Sequence, residues 1–167
     1  LQPLPEGGPL KKEGDAKAPA GVFALGSAFG YDDKPTANDN TYPYIYLHKR
    51  MSCIEDVTSP YYNQVLDIAE APGVKREHRS EMRRADGLFR RGVVIEQNAD
   101  QPTPGGGSCV FMHVWRGSGQ GTAGCTAMQV TTIEQVIAWL HPEAQPVVVQ
   151  LPEVEYERLK SAWGLPD

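Results

Sequence analysis

The chain has 167 residues, a formal net charge of -5, and 40% hydrophobic and 22% charged residues. That length suits one domain able to bury a core, and the acidic balance excludes the overall basic surface of a nucleic-acid binder. The longest apolar runs are only a few residues, which excludes a transmembrane helix.

Residues 1–20 are rich in Pro, Gly and Lys and read as a lead-in arm ending at Pro19-Ala20-Gly21, with residues 21–167 as a single domain. The chain starts at Leu1 rather than Met, as a processed or truncated chain would. Residues 22–25 are expected to form a first short strand. Residues 30–40 are polar and rich in turn formers and are expected to be a surface loop, with aspartates too irregular for a calcium site. Residues 42–47 alternate aromatic and aliphatic side chains, which predicts a strand with Pro43 at its start or on an edge. Residues 60–68 read as a short helix carrying Val65, Leu66 and Ile68 and ended by Pro72-Gly73. Residues 75–91 hold Lys75, Arg76, Arg79, Arg83, Arg84, Arg90 and Arg91, seven of the sixteen basic residues. They suit a carboxylate-rich partner or, more blandly, a solvated face balanced by Glu77, Glu81 and Asp86. His78 and Glu81 would share one face of a helix, but a pair without a third ligand does not define a metal site, and no metal is expected.

Residues 93–96 predict a core strand that leads through Asn98 and the Pro/Gly-rich loop 101–107 into a strand around His113. A hairpin there would set Glu96 or Asn98 near His113. Over residues 109–115, period-2 alternation places Cys109, Phe111, His113 and Trp115 on one face and Val110, Met112 and Val114 on the other. Gly117, Gly119 and Gly121 then let the chain fold back and bring Cys125 alongside His113. Beyond the cysteine, Thr131-Thr-Ile-Glu134 reads as a capping box opening a helix that turns Ile133, Val136, Ile137 and Leu140 inward and stops at Pro142. Residues 147–151 follow as a buried strand. A final helix spans residues 152–163, with Pro152 in its first turn and Gly164 beyond its end. The order describes a mainly β domain with a few peripheral α-helices.

A thiol beside an imidazole has a chemical use. A free cysteine titrates near ~8.5, only its thiolate attacks a carbonyl, and a neighbouring imidazole can take the proton. The small residues Thr122, Ala123, Thr126 and Ala127 leave the sulfur of Cys125 open, and the backbone amides of Gly124 and Cys125 are candidates to hold a developing oxyanion. The plain alternative is a buried structural cysteine and a satisfied core histidine. Zinc held by Cys109, His113 and Cys125 is disfavoured, because residues four apart on a strand lie about 13 Å apart. Gly119 to Gly124 matches the G-x-G-x-x-G phosphate fingerprint in letters, but it lies several residues past the strand and outside any βαβ unit.

His113, the glycine-bearing loop and Thr122-Ala-Gly-Cys125 resemble the L,D-transpeptidase catalytic domain, the YkuD family, in which a His is followed by a loop and Ser-x-Gly-Cys. The segment KKEGDAKAPAGVFALG, residues 11–26, is similar to that family's N-terminal Lys/Arg-x-Gly-Asp-x-x-Thr-Pro-x-Gly-x-Phe stretch. The likeness spans residues 10–151 and is closest to a proteobacterial branch reading HxWRGxGxxTAGC. It implies an L,D-transpeptidase-like β-sandwich or barrel, with Cys125 as nucleophile, His113 as general base and the backbone carbonyl of Val114 orienting the imidazole. The chain departs from the commoner pattern at Ala123 and Ala127, where a His or Arg and an Arg usually border the nucleophile. Arg116 could restore a positive charge. Trp115, Arg116, Thr122 and Ala123, with Glu96 and Asn98, are the candidate substrate contacts.

The resemblance further implies export to the periplasm or cell wall, no cofactor, and peptidoglycan stem tetrapeptides as substrates. The bond cleaved would join a third-position diamino acid to D-Ala, with transfer to an amine; hydrolysis of the same bond, L,D-carboxypeptidase activity, is the alternative. Carbapenem-type β-lactams would be covalent inhibitors. If Cys125 must stay reduced to work, Cys53 and Cys109 are the natural disulfide pair, whereas a cytosolic enzyme would keep all three cysteines reduced. A catalytically silent wall-binding module is the reading from a different class.

Overall fold

Strand alternation divides the apolar residues of this chain between two cores. A computed structural model describes residues 10–33 and 42–167. Residues 1–9 of the expected arm and 34–41, most of the expected surface loop, lie outside the described residues. In chain order the elements are β1 (Gly21–Gly30), β2 (Tyr44–Tyr46), β3 (Met51–Ile54), β4 (Val65–Asp67), β5 (Arg79–Glu81), β6 (Arg91–Ile95), β7 (Phe111–Val114), β8 (Thr126–Met128), α1 (Val130–Trp139), β9 (Val147–Gln150) and α2 (Glu153–Trp163). Short 3-10 turns occupy Ile68–Glu70, Arg76–His78 and Pro142–Ala144. The fold is mainly β: a mixed sheet ordered β2-β1-β6-β7-β8, with β9 also paired to β1, and a three-stranded antiparallel sheet ordered β4-β3-β5. Among the described residues, no helix is long and apolar enough to cross a membrane.

Neighbouring residues on the central strands go to opposite faces of the larger sheet, as the pleat requires. Ala28, Val93, Ile95, Val110, Met112 and Val114 pack with Ile133, Ile137 and Leu140, the last two helical turns of α1 and its end. Phe29 and Phe111 turn the other way and pack with Leu47, Met51, Cys53, Met82, Leu88 and Phe89, which come from β3 and the connections around the smaller sheet. Phe29, Phe89 and Phe111 meet edge to face, at centroid distances of 6.1, 5.4 and 5.6 Å, an arrangement favoured by the ring quadrupoles. Gly92 makes room for it, because a Cβ there would stand 2.2 Å from the Phe29 ring.

A disulfide joins Cys53 on β3 to Cys109 just ahead of β7, with Cα atoms 5.9 Å apart. It ties the smaller sheet to the strand that carries His113. Asn63 secures the same junction: its Oδ1 accepts the Cys109 N–H at 2.8 Å, and its Nδ2 donates to the carbonyls of Gln97 and Asn98.

Several expected elements differ. The first strand is ten residues long, not four, because β1 pairs with β9 through its first half and with β6 and β2 through its second. No helix covers residues 60–68; Val65–Asp67 is a strand, since β3 offers it an antiparallel edge. His78 ends a 3-10 turn and Glu81 lies on β5, so they share no helix face. The strand around His113 starts at Phe111 because Cys109 has a left-handed φ of 56°. The capping box does not form: the N-cap is Gln129, two residues before Thr131, α1 begins at Val130, and no side-chain cap bond is made. β9 is not fully buried, and Val147 is exposed. α2 ends at Gly164 in the left-handed conformation, φ 62°, as expected of a C-terminal glycine.

The basic segment is largely committed to structure. Arg83 donates to the carbonyls of Tyr31 and Leu47 and lies 4.8 Å over the Tyr31 ring. Arg76 pairs with Glu81, and Arg91 with Asp32. Arg84 is the exception that reaches the cleft described next.

Candidate active site

β7 and β8 run parallel, with His113 opposite Ala127 and Met112 opposite Thr126. Cys125 therefore lies one strand over from His113 and two residues back, on the same face. A parallel pair needs a crossover, usually of about a dozen residues or more and usually a helix; here the glycine-rich loop after Val114 does this without one. Its last turn is fixed by Thr122, whose hydroxyl donates to the Cys125 carbonyl at 2.6 Å and accepts the Gly124 N–H at 3.1 Å. Gly124 has φ +137°, and a Cβ there would meet the Lys17 carbonyl oxygen at 3.0 Å. The residue before the nucleophile candidate must be small and conformationally free.

His113 is buried, 5% exposed. Phe89 packs against its ring edge to face at 5.1 Å, and Nδ1 lies 2.7 Å from the Val114 carbonyl oxygen. A carbonyl only accepts, so Nδ1 carries the proton and Nε2 keeps its lone pair. Burial pushes the His113 pKa below its ordinary value, opposed by the Val114 bond. Burial also pushes the Cys125 thiol up, against the Phe111 amide and the charges of Arg84 and Lys11, which favour the thiolate. The resting pair is therefore thiol and neutral imidazole. In this state the thiol points to the Cys109 carbonyl, at 3.6 Å.

Both side chains open into a cleft of about 440 Å³. Of the sequence-predicted contacts, Arg116, Thr122, Ala123 and Gly124 line it. Trp115 does not; its N–H donates to the Met128 carbonyl at 2.8 Å and prolongs the β7–β8 pairing. Glu96 lines a different cavity, of about 250 Å³, with Asn63 and Val94, because it follows the end of β6 and lies well along from Gly92, the residue set opposite His113. Asn98 organises the Pro/Gly-rich loop instead, bonding Thr103 and Gly107. The Gly124 amide is taken by Thr122, which leaves the Cys125 amide, of the two expected, as the candidate oxyanion donor. Zinc at Cys109, His113 and Cys125 is ruled out by the Cys53–Cys109 bond. The Gly119 to Gly124 stretch leads into strand β8 and not a helix, so it lacks the phosphate-binding context.

The sequence reading missed the four charged cleft residues Lys11, Glu13, Glu55 and Arg84. Lys11 and Glu13 arrive from the segment read as an arm, which packs here: the Tyr62 hydroxyl donates to Glu13 at 2.6 Å and the Glu13 N–H to the Gly105 carbonyl at 2.8 Å. Glu55, just past β3, accepts the Ser80 hydroxyl at 2.6 Å. Arg84 stacks on Phe89, 5.3 Å from the ring centroid, and pairs with Asp86. The only advance signals were the clustered arginines and the Lys11-to-Gly26 likeness, and neither gave a direction.

Fold and site together define a mainly β domain carrying one free cysteine and one oriented, neutral imidazole in a shared cleft. Compared with protein-family models, with characterised proteins and with solved structures, the chain matches none of them.

Proposed function

We propose that this chain is a cysteine acyltransferase of the L,D-transpeptidase type, acting on peptidoglycan stem tetrapeptides. The observation that carries the reading is the orientation of His113: with Nδ1 bound to the Val114 carbonyl, Nε2 is left as a base on the face shared with Cys125. That is the relation the YkuD resemblance assigns to these residues. The second sequence likeness, residues 11–26, supports it spatially, since Lys11 lines the cleft and Lys17 touches Gly124. The Cys53–Cys109 bond suits an oxidising compartment and so supports export to the periplasm or cell wall. On this reading the two sheets form an L,D-transpeptidase-like fold.

The chemistry follows from the groups present. His113 Nε2 takes the Cys125 proton as the sulfur attacks the carbonyl of the diamino acid; the Cys125 amide faces the oxyanion. The imidazolium returns the proton to the departing D-Ala nitrogen, the C–N bond breaks and a thioester remains. An acceptor amine, deprotonated by His113, then attacks, forms the new amide and expels the thiolate, which regains its proton. Water in place of the amine gives the L,D-carboxypeptidase outcome, and the alanines at positions 123 and 127 favour it by offering an acceptor little to bind. Intact mass after incubation with a carbapenem tests the reading. One adduct on Cys125 supports it, and no adduct points to a catalytically silent wall-binding module.

A further inference from the structure

Arg84 is held in the cleft by two residues, Asp86 and Phe89. Asp86 takes Nε at 2.9 Å and Nη2 at 2.5 Å, the Phe89 ring lies under the guanidinium at 5.3 Å, and Phe89 itself rests against His113 at 5.1 Å. The third nitrogen, Nη1, has no hydrogen-bond partner among the described residues. Arg116 reaches the same Asp86 from the glycine loop, 3.6 Å away, so two cleft arginines share one carboxylate and the group keeps a net positive charge. The Arg84 side chain is 35% exposed, so an anion can reach it. A rigid, stacked guanidinium with a free N–H edge is a carboxylate receptor.

We infer that Arg84 binds a free carboxylate on the residue next to the scissile carbonyl, and so selects substrates whose leaving amino acid is the chain terminus. This rests on the acyltransfer reading: in a tetrapeptide the departing D-Ala carries its carboxylate one residue from the attacked carbon, whereas a longer peptide or a carboxamide offers no charge there. Arg84 comes from the connection between β5 and β6 and supplies a cation near the nucleophile, where Ala127 supplies none.

Two measurements test it. In the first, wild type, Arg84→Met and Arg84→Lys act on a stem tetrapeptide ending in D-Ala and on the same peptide ending in D-Ala carboxamide. Wild type is expected to prefer the acid by about 10- to 100-fold in kcat/KM, the range of a hydrogen bond to a charged group. Arg84→Met should bring the ratio to about 1, because the acid loses far more than the carboxamide, and Arg84→Lys should restore part of it. Equal use of both peptides by wild type, or equal loss on both in Arg84→Met, overturns the inference and leaves acyl transfer standing. The second measurement needs no turnover, because Cys125 is the free thiol beside a disulfide-bonded pair. The rate of Cys125 alkylation by iodoacetate relative to iodoacetamide should fall several-fold in Arg84→Met and in wild type at high salt. An unchanged ratio overturns carboxylate recruitment by Arg84. No cleavage of either peptide would instead sink the acyltransfer reading, and the inference with it.

Discussion

The Nδ1 atom of His113 lies 2.7 Å from the carbonyl oxygen of Val114, the next residue along the same strand. This single bond decides the tautomer and therefore which nitrogen can act as base. Removing the ring by His113→Ala should lower kcat/KM by about 10²- to 10⁴-fold, the usual contribution of a positioned general base. Cys125→Ala should abolish acylation and leave the melting temperature nearly unchanged, since Thr122 and Gly124 hold the turn without the sulfur. Retained turnover in the Cys125 variant would exclude the covalent route.

The pH dependence has a definite sign. Burial lowers the His113 pKa, and in the proposed mechanism the neutral imidazole is the active form. Activity should thus persist below the ordinary histidine value of about 6.5 and be lost as pH falls through the lowered one. Stability follows the same direction. The unfolded chain binds the extra proton first, so the contribution is complete above about 6.5 and disappears as pH falls towards the folded value. The acid limb of kcat/KM and the melting temperature against pH check both. An acid limb displaced above 6.5 would indicate a stabilised imidazolium and contradict the neutral pair.

Cys53 and Cys109 close a loop with a sequence separation of 56. Replacing both by Ser should cost roughly 4 kcal/mol on the chain-entropy estimate for a loop of that length. Activity should suffer too, because Cys109 supplies the carbonyl that faces the Cys125 thiol. Urea unfolding at equilibrium measures the first, and thiol counting under denaturing, non-reducing conditions should return one free cysteine.

Much of the site was readable because it depends on local pattern. The alternation of residues 110–114 follows from the pleat alone, and it divides Met112 and Phe111 between the two cores as expected. What was not readable depends on partners distant in sequence. Val65, Leu66 and Ile68 suit a helix or a strand equally well by spacing, and only the free edge of β3 makes Val65–Asp67 a strand. Ser80 sits beside Glu55 only because β3 and β5 pair. Arg84 looks like any other member of a charged run until Phe89 and Asp86 are seen to fix it. The expected pairing of β6 with the His113 strand is present, but it sets Gly92 opposite His113, so Glu96 lines another cavity and Asn98 bonds the loop beyond.

The turn before the cysteine is exposed to single changes. Thr122→Val removes both of its hydrogen bonds, at a cost of about 1–3 kcal/mol, and should lower kcat more than it raises KM; Thr122→Ser should retain most activity. Gly124→Ala forces a side chain into φ +137° and against the Lys17 carbonyl. It should lower both stability and acylation rate. A Thr122→Val variant with unaltered kcat would show that the turn does not position the sulfur.

In the proposed function, acyl transfer runs through Cys125, which carries the acyl group of a stem peptide between donor and acceptor. The most direct test is intact-protein mass spectrometry of wild type quenched in acid during turnover of disaccharide tetrapeptide, with the products resolved in parallel. The expected result is an adduct equal to the donor less D-Ala, located on Cys125 and absent from Cys125→Ala, together with dimers crosslinked through the two diamino acids. Tripeptide as the sole product alongside that adduct would make the enzyme a carboxypeptidase. Consumption of tetrapeptide with no adduct, or an adduct that survives in Cys125→Ala, would contradict the account.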